Sequence, residues 1–490
     1  MYYDIFKNIK KKQILLNYIH KNDKTIENTY ETFIKYDKLY NTIKNIFLNQ
    51  TDIRQIKQKL ETNIITSIKE MENNAEVSSP FNLLDIICEK NKDYFTQNYK
   101  FLDYSCGKGN IIVTIFINLY NELSKTNTSY DSCKLILDNY IYFGDLTVLN
   151  VFVTISILHN LCLFYCNKEY YFNYNFYIGD SFNLNLKQTF DINYIDVVFV
   201  NPPFQDKTKN KTQHKIWVKF TEKTFKDWLS TNGILIQISP SSYGSPSNKV
   251  LKFFHTYYVK YLFLNQEQYF PKVGSSFSWY VIEKCINDKK TILNNDKKLL
   301  INTNIVYMPN DLSDISLNIH KKVMFDTTEK LDVKYDYTTC HNNILKKCKE
   351  KGIFSSISKT KTDKHIYPLF HTNAQIWYSS IKQDFLNKKK VLWTRSGYTK
   401  PFYDNGVYGI TDLSYYVLVK TDKEGENLSY NLNLKLFKYI FDTAKWSGFG
   451  TDKVFYLLPT IKNKKYDDKS LYNCFKLTKD EIKYIETFNN

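Results

Sequence analysis

Arginine is almost missing from this chain. Of 67 basic residues only Arg54 and Arg395 are arginine; the rest are lysine, and alanine is nearly absent while lysine, asparagine, isoleucine, tyrosine and phenylalanine abound. That skew is the mark of an AT-rich coding sequence, which raises lysine whatever a protein does. A net charge of +17 normally points to a polyanionic partner, but here it favours one only weakly. Cysteine is present as nine scattered residues. Cys340, His341 and Cys348 have no second Cys or His pair at zinc spacing, so no structural metal and reduced thiols are expected. Cys162 and Cys166 fall on an apolar stretch and read as core. No apolar run approaches the roughly 20 residues of a membrane span. The start, Met1-Tyr2-Tyr3-Asp4-Ile5-Phe6-Lys7, has no apolar signal segment. The expectation is a soluble, cytoplasmic chain without a membrane partner. A hydrophobic share of 43% excludes a disordered chain, and 490 residues allow two or three domains with sizeable cores.

Three regions follow from the patterning. Residues 1–75 are lysine-rich and helical, with Ile53, Ile56, Leu60, Ile64, Ile65 and Ile68 at helical spacing on one amphipathic helix. Residues 76–290 alternate apolar strands with helical segments, an α/β signature. Strands are predicted over 100–104, 140–143, 176–179, 195–200, 234–239, 259–265 and 277–283, and helices over 110–119, 148–165 and 216–230, the last stopped by Thr231-Asn232-Gly233. Residues 291–490 mix helical and strand-like pieces and read as a separate α+β domain.

Asn201-Pro202-Pro203-Phe204 is the most informative stretch. It follows the continuous apolar run Ile195-Asp196-Val197-Val198-Phe199-Val200, which reads as a buried strand. Two prolines cannot extend a sheet, so an amide is held at the strand's carboxyl end, where open α/β sheets bind ligands. The pattern suits a flat, amine-bearing ring: the Asn201 oxygen and the Pro202 carbonyl accept from the amine, Pro203 fixes the turn, and Phe204 stacks on the ring. Upstream, Asp103 ends a strand and leads into Tyr104-Ser105-Cys106-Gly107-Lys108-Gly109-Asn110. Gly107 and Gly109 let the backbone pass close to a ligand. A carboxylate here would repel a pyrophosphate, so a cofactor carrying an ammonium and a sulfonium fits better. The next strand ends at Gly144-Asp145, with the acid placed to accept from ribose hydroxyls. The third ends at Gly179-Asp180-Ser181-Phe182, where Asp180 is placed to accept from an adenine amine and Phe182 to stack on that ring.

These motifs resemble those of the S-adenosylmethionine-dependent, adenine-specific DNA methyltransferases of restriction–modification systems. The family's first motif is matched by residues 103–109 and its catalytic motif by Asn201, Pro202, Pro203 and Phe204. Ser79-Pro80-Phe81-Asn82-Leu83-Leu84-Asp85 matches its upstream cofactor-contacting motif, and Val273-Gly274-Ser275-Ser276-Phe277-Ser278-Trp279-Tyr280 resembles the region closing the domain. The motif order resembles the gamma subgroup, whose C-terminal domain recognises the target sequence. The resemblance implies a Rossmann-like methyltransferase sheet with helices on both faces. It also implies S-adenosylmethionine held by Pro80, Asp103, Ser105, Cys106, Gly107, Gly109, Asp145, Asp180 and Ser181, and methylation of a flipped-out adenine in DNA; a monomer is compatible with the sequence. Two departures stand out. Tyr104 replaces the family's usual proline, and Phe204 replaces the tyrosine of many DNA enzymes, as in several RNA adenine methyltransferases. RNA therefore stays open as substrate, as do a protein glutamine amide and a nucleic-acid-binding module without activity.

Two C-terminal clusters combine aromatics, glycine, hydroxyls and positive charge. Residues 393–403 include Trp393, Arg395 and Tyr398, and residues 446–453 include Trp446 and Lys453. Both suit stacking and backbone contact with nucleic acid. Arg395, one of two arginines, offers either a fork toward a guanine edge or an ordinary ion pair.

Overall fold

The computed structural model describes residues 29–64, 77–204, 216–246, 248–271, 276–294, 296–301, 305–336, 340–341, 343–395, 400–446 and 452–488. Ile65, Ile68, residues 273–275 and Tyr398 lie outside them. The chain divides into two compact units, one of residues 1–240 and 253–300 and one of residues 241–252 and 301–490. Residues 29–63, expected as an extension, group with the first unit, whereas 241–252, expected within the α/β region, group with the second.

The first unit is built on a nine-stranded sheet in the order β3-β2-β1-β4-β5-β7-β6-β8-β9. The strands are β1 (Phe101–Asp103), β2 (Ile141–Asp145), β3 (Asn175–Ile178), β4 (Ile195–Val200), β5 (Leu229–Pro240), β6 (Tyr257–Phe263), β7 (Phe277–Ile286), β8 (Thr291–Leu293) and β9 (Lys298–Leu299). β3, β2, β1, β4 and β5 run parallel, and β7 is antiparallel to both β5 and β6. All seven strands expected over 100–283 form, and the fold is a Rossmann-like, mostly parallel sheet with helices on both faces. Chain order runs outward from β1 to β3 on one side and from β4 to β5 on the other. The switch therefore falls between β1 and β4, the point of such a sheet at which ligands bind.

Parallel strands are covered on both faces, so they read as unbroken apolar runs. β4 shows this. Val197 and Phe199 join the core that contains helix α4 (Asn110–Leu123) and helix α6 (Val148–Cys166). On the opposite face Tyr104 stacks on Phe220, from the helix Ile216–Lys223, at 4.9 Å between ring centroids. Helices α1 (Thr29–Phe47), α2 (Ile53–Asn63) and α3 (Phe81–Lys90) precede the sheet, and α5 (Ser129–Leu135) follows α4. Tyr36 of α1 packs edge-on against Phe152 of α6 at 4.8 Å, and Ile56 and Leu60 bury the apolar face of α2.

Two expectations need correction. α6 is 19 residues long and apolar enough by length and composition to cross a membrane, contrary to the sequence expectation, although it lies largely inside the first unit. Several of its polar side chains bond back along the helix: the Thr154 hydroxyl donates to the Asn150 carbonyl (2.9 Å), the Ser156 hydroxyl to the Phe152 carbonyl (2.8 Å) and Asn160 Nδ2 to the Ser156 carbonyl (2.8 Å). The helix expected over 216–230 yields to strand at Leu229, because Leu229 pairs with Ile195 and the Lys284 ammonium caps the Phe225 and Leu229 carbonyls. Asn232, expected to stop a helix, takes a left-handed φ of 64° inside β5.

The second unit is α+β. One sheet has the order β10-β12-β11-β15 and another β14-β13-β16. The strands are β10 (Ile357–Ser358), β11 (Tyr367–Thr372), β12 (Gln375–Ser379), β13 (Lys389–Thr394), β14 (Phe402–Asn405), β15 (Gly409–Ile410) and β16 (Ser414–Leu418). The helices Asp422–Leu432, Lys435–Thr443 and Asp468–Cys474 supply much of its core.

Candidate active site

The glycine turn after β1 is tied to the ends of both neighbouring strands on its side of the sheet. Cys106 N–H donates to the Gly144 carbonyl (2.9 Å), Gly107 N–H to Asp145 Oδ2 (3.0 Å), and the Ser181 hydroxyl to the Tyr104 carbonyl (2.6 Å). Gly109 caps α4 at φ 88°, a left-handed value that disfavours a side chain. A Cβ there would also stand 2.7 Å from Thr154 Oγ1 of α6.

Asp103 is fully buried at the end of β1. Its Oδ1 accepts the Ser105 N–H at 3.0 Å, while Oδ2 is buried with no hydrogen-bond partner among the described residues. Burial pushes this carboxyl well above the usual carboxylate range; the Ser105 N–H opposes the shift and the Asp145 charge adds to it. Such an oxygen is an open acceptor awaiting a cation or a donor.

Asp145 was expected to meet ribose hydroxyls. Its Oδ1 instead accepts Thr147 N–H (2.8 Å), Thr147 O–H (3.0 Å) and Asn150 Nδ2 (3.1 Å), while Oδ2 takes the Gly107 N–H. It clamps the glycine turn to β2, a role the sequence reading did not foresee. Burial raises its pKa too. Leu146 beside it is 61% exposed, an apolar side chain at the same strand end that the sequence reading passed over.

Asn201 ends β4, adjacent to β1, and its carbonyl lies 3.5 Å from the Ser105 hydroxyl. The glycine turn and the Asn-Pro-Pro-Phe turn thus share one rim of the sheet. Nδ2 of Asn201 donates to the Val77 carbonyl (2.9 Å) and to Ser79 Oγ (3.0 Å). The Val77 carbonyl can only accept, so it settles which end of the amide faces it. Oδ1 is buried and has no partner among the described residues. Neither holder was expected: a backbone carbonyl leaves no signature in residue type, and Ser79 had been read only within a cofactor motif. Ser79 is itself anchored, since its carbonyl accepts Asn110 Nδ2 at 2.8 Å. Pro80 follows as the N-cap of α3. Pro202 is buried, Pro203 and Phe204 are half-buried, and Phe277 meets the Phe204 ring edge-on at 5.3 Å. Asp180 is exposed and spends Oδ1 on the Phe182 N–H (2.9 Å). Phe182 is half-buried and stacked on Phe220 at 4.0 Å.

In the second unit the expected aromatic contacts prove to be core. Trp393 is fully buried on β13 against Phe455, and Trp446 is buried with its indole N–H on the Met308 carbonyl at 2.6 Å. Arg395 is half-buried just after β13, and Lys453 is exposed on the helix Asp452–Phe455. Among the described residues no group of three or more His, Cys, Asp or Glu is placed to hold a metal.

No protein-family model matches the chain, and no curated protein matches it. Among solved structures it is similar to the type IIL restriction–modification enzyme MmeI in complex with DNA, at 9% identity over 86% of this chain and 78% of that one, with a TM-score of 0.47. It is similar to the ATP-dependent type ISP restriction–modification enzyme LlaBIII bound to DNA, at 11% identity over 87% of this chain and 44% of that one, TM-score 0.48. It is also similar to DrdV in its DNA complex, at 10% identity over 76% of this chain and 52% of that one, TM-score 0.46. The chain thus spans about half the length of the last two. At such identities the functional reading rests on the geometry of the site itself.

Proposed function

We propose that the first unit transfers a methyl group from S-adenosylmethionine to the 6-amino group of adenine in DNA, as in restriction–modification systems. The observation that supports this best is the Asn201 amide. Both of its N–H donors are engaged and its oxygen is buried with no partner among the described residues, which suits an acceptor kept for an amine. The cofactor fits the same rim: Asp103 Oδ2 suits its ammonium, and the turn of Ser105, Cys106, Gly107 and Gly109 suits its close approach. Pro80, Asp180 and Ser181 flank it, and Asp145 supports the turn from behind. When bound, the cofactor supplies an electrophilic methyl group on sulfur.

The chain's own residues do the rest. The adenine amine is a weak nucleophile because its lone pair is delocalised into the ring. Asn201 Oδ1 and the Pro202 carbonyl accept its two N–H bonds, which favours a tetrahedral nitrogen with its lone pair turned to the methyl. The same two oxygens stabilise the positive charge that develops on nitrogen, so this is preorganised electrostatic catalysis. Pro203 fixes the turn and Phe204 stacks on the base. A base inside a duplex is out of reach, so it is turned out at a cost of about a few kcal/mol. The second unit, with net positive charge around it, serves as the target-recognition domain in this reading.

The test is incubation with tritiated cofactor and separate DNA and RNA pools, followed by nucleoside analysis. Label in N6-methyladenine from the DNA pool is expected. Asn201→Ala should lower the rate about 10²–10³-fold while sparing cofactor affinity. Near-full activity in that variant would refute the assignment.

A further inference from the structure

With Trp393 and Trp446 buried, the second unit needs another surface if it is to meet nucleic acid. The segment from the helix Asn343–Lys351 through β10 to β11 has the required chemistry. Gly352 ends the helix at φ 63°, with Ile353 N–H bonded to the Cys348 carbonyl at 3.0 Å, a left-handed helix stop. The stop throws Ile353 and Phe354 outward, each 59% exposed, and Ile366 is 49% exposed. Large side chains so open are unusual side by side and mark an interaction surface.

Phe354 is held in place. Its ring stacks on His365 at 5.2 Å and 20°, and the Lys364 ammonium lies 5.5 Å from its centroid. His365 is itself fixed, with Nδ1 to Thr362 Oγ1 and Nε2 to the Ser355 carbonyl, both at 2.8 Å. The surrounding stretch of chain, residues 346–364, carries seven exposed lysines against Glu350 and Asp363; Lys364 lies over the Phe354 ring, Lys359 lies 5.7 Å from the Trp377 centroid, and Lys346 pairs with Glu350 at 4.0 Å. β10 is a two-residue edge strand whose sheet partner among the described residues is β12. Lysine abundance alone would be explained by coding bias. A preset, solvent-open aromatic ring stacked on a fixed histidine with an ammonium 5.5 Å from its centre is not explained that way.

We propose that this face, centred on Phe354 and the lysines of residues 346–364, is a docking surface for duplex DNA. The lysines neutralise backbone phosphates and Phe354 presses on sugar or base. The proposal rests on the methyl-transfer reading only for the choice of nucleic acid. Charge complementarity selects a polyanion, and the apolar ring favours one with flat, stackable groups over a simple acidic surface.

The full-length protein is titrated into a fluorescent duplex of about 30 base pairs at several salt concentrations. The triple variant Lys359→Gln, Lys361→Gln, Lys364→Gln should bind at least about tenfold more weakly and flatten the slope of log K against log salt by up to about 2.7, that is about 0.9 per phosphate contact. Phe354→Ala should weaken binding about tenfold, the scale of one aromatic side chain buried against sugar, with the slope unchanged. A control triple on exposed lysines of the first unit, Lys92→Gln, Lys125→Gln, Lys187→Gln, should change little, and unchanged melting confirms that each variant is folded. Unaltered affinity and slope in the first two variants, or equal loss in the control, overturns the proposal. Tighter binding of RNA than of duplex DNA overturns the choice of DNA. Wild-type protein that binds DNA with these dependences yet transfers no methyl group would refute the enzymatic reading and leave this surface standing.

Discussion

Ser79→Ala tests whether the catalytic amide is oriented by its neighbours. Ser79 Oγ accepts one Asn201 N–H at 3.0 Å and the Val77 carbonyl accepts the other at 2.9 Å. Removing the hydroxyl leaves one buried donor unpaired, at a cost of about 1–3 kcal/mol. Val77 still opposes a flipped amide, because the flip would set oxygen against oxygen, so the lower part of that range applies. About tenfold in the methyl-transfer step follows from about 1.4 kcal/mol. The measurement is single-turnover transfer of labelled methyl to an adenine-containing duplex, with cofactor affinity by calorimetry alongside. The rate should fall and the affinity should hold. The decisive comparison is the double-mutant cycle. If Ser79 acts through Asn201, then Ser79→Ala should cost nothing further in an Asn201→Ala background. Additive losses in the double variant, or a loss confined to cofactor affinity, would refute the positioning role.

Cofactor binding should depend on pH through Asp103. Its carboxyl is held well above the usual range by burial, so in the free protein it keeps its proton to higher pH than an exposed carboxyl. A cationic ammonium favours the ionised form, so binding should release a proton, and affinity should rise with pH until Asp103 is ionised in the free protein. Calorimetry in buffers of different ionisation enthalpy should detect that proton, and Asp103→Asn should abolish both effects. Gly109→Ala should lower stability by at least about 1–2 kcal/mol from the left-handed backbone alone, read as a lower melting temperature; the 2.7 Å approach to Thr154 adds to the cost. Trp446→Phe should cost about 1–3 kcal/mol of stability by stranding the Met308 carbonyl, while the folded variant keeps its DNA affinity because the indole is core.

The strands of the first unit were legible because parallel strands are covered on both faces and so become unbroken apolar runs; Ile195–Val200 has the same limits in sequence and in structure. The strand ends were legible because proline cannot extend a sheet and glycine permits the left-handed turn that follows it, so both mark where a strand stops. Other features depended on distant partners. Leu229 became strand because Ile195 and Lys284 were waiting for it. Asp145 turned inward to the Gly107 N–H. Trp393 and Trp446 carried the aromatic-plus-glycine pattern of a binding surface, but an indole packs a core as readily as it stacks on a base, and composition cannot say which.

What sequence alone determined was the alternation of strands and helices and the chemical types ending the strands. Both are written in local periodicity and in the backbone limits of proline and glycine. What tertiary structure decided was which atoms remained unspent. The Asn201 oxygen has no partner among the described residues, and Val77 and Ser79, over 120 residues earlier, turn it that way by occupying the amide nitrogen. Asp103 keeps one oxygen without a partner among the described residues because the sheet buries it. Hydrogen-bond saturation and burial are properties of neighbours in space, and neighbours in space exist only once the chain has folded.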